Sequence, residues 1–144
     1  MHYTSKKYFA FILYAFLISL SNTTYSETTK KLNIVIHISS SFAASHQAAL
    51  NYTKIIRGKY GDKANIVVVA NGPGIAFVNS KNKFKNSIKS LHKDSIPTFA
   101  CNSTIQHLIR NNKEIPIVEE VQIVPFGILK VIELQEKGYL YLRP

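Results

Sequence analysis

Cysteine is scarce in this chain: Cys101 is the one thiol among 144 residues. A single thiol closes no intramolecular disulfide and builds no cysteine-rich zinc site, and it lacks the second Cys of a Cys-x-x-Cys exchange pair. No self-similarity appears at any period from about 20 to 50 residues, which excludes a solenoid. No apolar run reaches the roughly 20 residues that a membrane helix needs. Acids are few as well, 8 Asp and Glu against 18 Lys and Arg, for a formal net charge of +10. What is plentiful is apolar side chain, 46% of the sequence. That fraction is ordinary for a globular domain and rules out disordered and fibrous classes.

The sequence opens with MHYTSKK, continues into the apolar run YFAFILYAFLISL at residues 8–20, and then turns polar through Thr24, Tyr25 and Ser26. A basic start, a short apolar middle and small residues before a cut are the three parts of a secretory signal. Residues 1–26 are therefore expected to be a signal peptide cleaved after Ser26, and residues 27–144 the mature domain. An uncleaved anchor is the alternative, disfavoured by the shortness of the run. The run holds no Cys, so lipoprotein-type acylation is not available. The expected location is periplasmic or secreted, with no stable membrane span after cleavage. Lys6 and Lys7 leave with the signal, so the mature part carries 16 basic and 8 acidic residues, a net +8.

The densest basic group is Lys81, Lys83, Lys85, Lys89 and Lys93. Nucleic-acid surfaces interleave such cations with exposed aromatics. Here the one aromatic, Phe84, is in helical register with Ile88 and Leu91, as in a core-facing stripe. The group reads as a solvated helix face, and no nucleic-acid partner is expected.

The mature chain alternates short β-branched runs with helical periodicity. Strands are expected at residues 32–38, 64–70, 97–101, 120–124 and 139–143. Helical patterns lie at residues 45–60, around Ile88 and Leu91, around Ile105 and Leu108, and across Ile128, Leu129, Ile132 and Leu134. Such alternation predicts βαβ units, hence one α/β domain. Its architecture is a three-layer sandwich, with a mainly parallel five-stranded sheet and helices on both faces.

Open α/β sheets bind ligands beyond the carboxyl ends of their strands. The segments predicted there hold Ser39, the turn Asn71-Gly72-Pro73-Gly74, the run Cys101 to Thr104, and Pro125. Cys101 ends a strand at a helix start, where exposed N–H groups favour an anion and so a thiolate. Asn102 or Ser103 is expected to cap that helix, and Ser103 and Thr104 can donate to the sulfur. Free Cys is equally at home as a small buried hydrophobe. The Gly72–Gly74 turn matches no dinucleotide or P-loop pattern, and Pro73 removes a donor. His37, His46, His92 and His107 show no i, i+4 pairing, so no metal site and no cofactor are expected. His37 alone lies in a strand near the carboxyl edge, either as a satisfied core histidine or as a partner of Cys101.

Several of these runs together resemble the DsrE/DsrF-like family of sulfur relay, and in particular its small exported members. They are Val35-Ile36-His37-Ile38, Ala49-Leu50-Asn51, Asn71-Gly72-Pro73-Gly74-Ile75 and Ala100-Cys101-Asn102-Ser103-Thr104. Val124-Pro125-Phe126-Gly127-Ile128 and the closing Gly138-Tyr139, Tyr141 and Pro144 complete the pattern. The resemblance covers residues 31–144. It implies a homo-oligomer, often a trimer or hexamer, and a persulfide carried at the position matching Cys101. Ser103 stands where many relatives have Asn. The expected function is sulfur handling or relay through Cys101, with Asn102, Ser103 and Thr104 stabilising the thiolate and Gly72, Gly74 and Pro125 shaping the pocket. A sulfur donor and acceptor would be the partners. The competing expectation is a non-catalytic oligomeric module that binds a small ligand or partner and uses Cys101 only for packing.

Overall fold

The computed structural model describes residues 31–144; the expected signal segment lies outside the described residues. Five strands, β1 (Leu32–Ile38), β2 (Ala64–Ala70), β3 (Thr98–Cys101), β4 (Gln122–Val124) and β5 (Leu140–Leu142), form one sheet in the order β4-β3-β2-β1-β5. Every pairing is parallel, with Ile36 opposite Val68 between β1 and β2 and Val35 opposite Tyr141 between β1 and β5. Four helices connect them: α1 (Ala43–Tyr60), α2 (Lys85–Lys93), α3 (Asn102–Arg110) and α4 (Gly127–Glu136).

Alternation along β1 and β2 sends side chains to opposite faces of the sheet, and both sets are apolar. Ile34, Ile36 and Ile38 join Ile66, Val68 and Ala70 in the larger core. Onto this face pack Ala49 and Leu50 of α1, Ile88 and Leu91 of α2, and Ile105 and Leu108 of α3. His46 is buried in the same layer, between the rings of Phe77 and Phe84 at 5.4 and 5.5 Å, with Nε2 donating to the Ser40 carbonyl at 2.8 Å. On the reverse face Val35, Val67 and Val69 are covered by Val131 and Leu134 of α4. The three layers are thus unequal, three helices against one.

The chain steps from β1 out to β4 and then crosses back under α4 to β5, on the far side of β1. The order therefore reverses at β1, and the carboxyl ends of β1 and β5 mark the switch point where such sheets form crevices.

Three local features differ from the sequence reading. The Gly72 turn continues as a 3-10 helix over Gly72–Val78, burying Ile75, Phe77 and Val78. Pro73 favours that start, and Gly74 lets the segment press on the end of β1. Asn102 is the first residue of α3 rather than its cap; Cys101 holds the cap position, without a side-chain cap. The strand runs directly into the helix, leaving no linker for a capping side chain. Finally, α4 turns Val131 and Leu134 inward and leaves Ile128, Leu129 and Ile132 exposed. Among the described residues α4 is the one helix over this five-stranded face, and none of them covers its flanks.

Candidate functional site

Cys101 is 5% exposed, at the carboxyl end of β3 between the starts of α3 and α4. Its side chain lies on the α4 side of the sheet, since β3 pairs Phe99 with Val69 and Phe99 packs in the α4 core. Burial pushes the thiol up. Against it act the Gly127 N–H, the Thr104 hydroxyl, and the backbone N–H groups of Thr104 and Ser103, and the balance holds the thiol below its ordinary value. The Ser103 N–H also donates to the Pro125 carbonyl at 3.1 Å, which explains why its pull on the sulfur is the weakest of the four. The Pro125 carbonyl lies 4.0 Å from Sγ and accepts from the protonated thiol. Helix starts carry unpaired N–H groups, and two of them meeting at one sulfur is the arrangement that favours a thiolate.

Thr104 is the pivot of this cluster. Its hydroxyl oxygen accepts from the Gly72 N–H at 3.0 Å while its proton serves the sulfur. Gly72 takes a φ of +50°, a backbone conformation that suits glycine. A Thr104→Val protein keeps the shape but loses both bonds. It is expected to show a higher Cys101 pKa and a stability loss of about 1–2 kcal/mol from the orphaned Gly72 N–H. The pH dependence of thiol alkylation and a urea titration measure the two effects. The linkage sign follows from the lowered thiol. A group depressed by folding stabilises the fold fully above its unfolded value, about 8.5 for Cys, and loses that contribution as pH falls through the folded value. The valine variant should show a smaller rise of stability across that window.

His37 is buried, with both ring nitrogens bonded: Nδ1 to the Tyr141 hydroxyl at 2.8 Å and Nε2 to Asn71 Oδ1 at 2.8 Å. Because the amide oxygen only accepts, Nε2 carries the proton and Tyr141 donates to Nδ1. The Tyr141 ring meets the imidazole edge-on at 5.7 Å. His37 therefore stands at the β1/β5 switch point as a satisfied histidine. Neither of its hydrogen bonds goes to Cys101; Asn71 and Cys101 both flank Gly127, their Cβ atoms 2.9 and 3.1 Å from the place where a Gly127 Cβ would sit.

The other predicted residues separate by role. Asn102 begins α3, half-buried, and its Oδ1 accepts from Gln106 Nε2 at 3.5 Å. Pro125 supplies the carbonyl that faces both Sγ and the Ser103 N–H. Gly74 is buried, and its missing Cβ would fall 2.0 Å from the Ile38 carbonyl oxygen. Its place is against β1, away from the thiol. Gly127, Asn71 and Tyr141 were not foreseen in these roles. The available signal was Gly127 itself, a glycine opening a helix where a stiffer residue is the rule. Among the described residues no set of three His, Cys, Asp or Glu side chains is placed to hold a metal ion. No helix among them is long and apolar enough to cross a membrane.

The lysine group of residues 81–93 lies largely in solvent around a buried Phe84, and Lys89 pairs with Glu120 at 3.2 Å.

No family model and no curated protein matches this chain. Among solved structures, a protein of unknown function from Methanobacterium thermoautotrophicum, MTH1491, is similar over 78% of this chain and 99% of its own, with a TM-score of 0.70 and 19% identity. At that identity the likeness bears on the fold alone: this chain is an α/β protein built on a five-stranded parallel sheet.

Proposed function

We propose that this protein is an exported, DsrE-like sulfur handler in which Cys101 carries sulfane sulfur as a persulfide. The observation that carries the reading is the convergence of the Gly127, Thr104 and Ser103 donors on Cys101 Sγ, which favours the thiolate despite burial. The thiolate attacks the outer sulfur of a persulfide or polysulfide donor. The new Cys101 S–S bond forms as the donor's S–S bond breaks, and the donor leaves as a thiolate. The electron count is unchanged, so no external oxidant is consumed. An acceptor thiolate then attacks the outer sulfur and Cys101 departs as a thiolate, which the same donors again stabilise. The basic and apolar opening of residues 1–26 supports export to a periplasmic or extracellular space.

Assembly into homo-oligomers belongs to the same proposal. Phe126, Ile128, Leu129 and Ile132, each about half exposed, line the start and outer side of the lone helix over its sheet face. Apolar side chains grouped in this way suit contact with further protein. The 5% exposure of Cys101 favours a second reading, a binding module in which the thiol only packs.

Intact mass spectrometry before and after polysulfide exposure tests the choice. The expected result is a reductant-reversible gain of sulfur in the native protein and none in Cys101→Ser. A Cys101→Ser protein that takes up sulfur as well as the native one overturns the relay. A native thiol inert until unfolding supports the packing role.

A further inference from the structure

Adjoining the thiol cluster, with which it shares Gly72, Ser103 and Thr104, a groove of about 740 Å³ runs between the 3-10 segment Gly72–Val78 and α3. Its size is that of a small-molecule site. Pro73, Ile75, Ala76, Leu108 and Ile115 give it an apolar lining. The two ends differ in chemistry. The Ser103 and Thr104 hydroxyls stand at the start of α3, whereas Arg110 and Lys113 stand at and beyond its end. From Thr104 to Arg110 the helix rises about 9 Å at 1.5 Å per residue, so the groove is elongated with its cations at one end.

Among the described residues Arg110 and Lys113 take part in no ion pair. The ion pairs of the described residues join Arg57 to Asp62, Lys89 to Glu120, and Lys130 and Lys137 to Glu133. Glu114 also lines the groove, which leaves one positive charge in excess at that end. The chain's own surplus of base adds a long-range positive field. An arginine fork and an ammonium lining the same groove are suited to a carboxylate.

We propose that this groove binds a small organic acid with an elongated apolar body, its carboxylate at Arg110 and Lys113 and its chain along Pro73, Ile75 and Leu108. The proposal goes beyond sulfur transfer and does not depend on it, because Cys101 is not among the groove's lining residues.

Octanoate and its neutral counterpart 1-octanol are the probes, followed by amide chemical-shift changes in the isotope-labelled protein. Octanoate is expected to shift the amides of Ala76, Leu108 and Ile115 and to bind about fivefold more tightly than 1-octanol, the scale of an exposed charge pair. The double variant Arg110→Gln with Lys113→Gln changes two exposed side chains and should remove that preference while keeping the native spectrum. Equal affinities for acid and alcohol, shifts confined to Ile128 and Ile132 on α4, no shifts at all, or an undiminished preference in the double variant would each overturn the proposal. Sulfur uptake at Cys101 is read separately by mass, so failure of either reading leaves the other standing.

Discussion

A Gly74→Ala chain is expected to yield no native protein, seen as loss of the cooperative thermal transition and of soluble expression. The added methyl would sit 2.0 Å from the Ile38 carbonyl oxygen, 2.5 Å from the Ile38 carbonyl carbon and 2.9 Å from the Ser39 Cα. All three are backbone atoms, so no side chain can swing aside. Relief requires the Gly72–Val78 segment to lift from the end of β1. That movement breaks the Asn71 N–H bond to the Ile38 carbonyl at 3.1 Å and draws Ile75, Phe77 and Val78 out of the core. Burial of Phe77 alone is worth about 3 kcal/mol, and the whole domain holds roughly 5–15 kcal/mol in reserve. A loss above about 4 kcal/mol is the expected scale. A Gly74→Ala protein that unfolds within a few degrees of the native one would show that the close approach is not required.

The larger architecture was legible because both faces of β1 and β2 are buried, which leaves unbroken runs such as LNIVIHI and ANIVVVA with sharp polar ends. Those two strands fall where the sequence places them. The edge strands β4 and β5 are shorter than expected, three residues each, because only the residues that meet a neighbour's ladder are paired. Periodicity located α4 but not its buried face. Its apolar residues cover more than one face, so spacing could not say that Val131 and Leu134 turn inward while Ile128 and Ile132 face out. Cys101 was legible as a strand-end thiol at one helix start. That a second helix start meets it was not, because Gly127 arrives through β4 and a crossover. His37 was visible as a strand histidine, but its partners Asn71 and Tyr141 lie 34 and 104 residues away, a separation that no local pattern carries.

The meeting of two helix starts at one sulfur gives the second large effect. Gly127→Ala is expected to raise the Cys101 pKa and to slow its alkylation and its sulfur uptake near neutral pH. The alanine methyl would lie 2.9 Å from the Asn71 Cβ and 3.1 Å from the Cys101 Cβ. These neighbours sit at the ends of β2 and β3, so they yield by tenths of an ångström and α4 must retreat for the rest. Overpacking of this kind costs about 1–3 kcal/mol, of which the better helix propensity of Ala returns up to about 1 kcal/mol. Retreat also carries away the Gly127 N–H, the strongest of the four donors that hold the thiol down, while the burial that pushes it up remains. The sign is therefore fixed: the midpoint of thiolate formation moves upward, and the stability gained between the folded and unfolded thiol values shrinks. Thr104→Val supplies the comparison, since it removes a hydroxyl without moving a helix. If alkylation against pH shows an upward shift for both variants, larger for Gly127→Ala, the α4 start is the principal support of the thiolate. If Thr104→Val shifts the midpoint and Gly127→Ala leaves it in place, α3 and its threonine carry that support alone, and α4 serves Cys101 only as a cover.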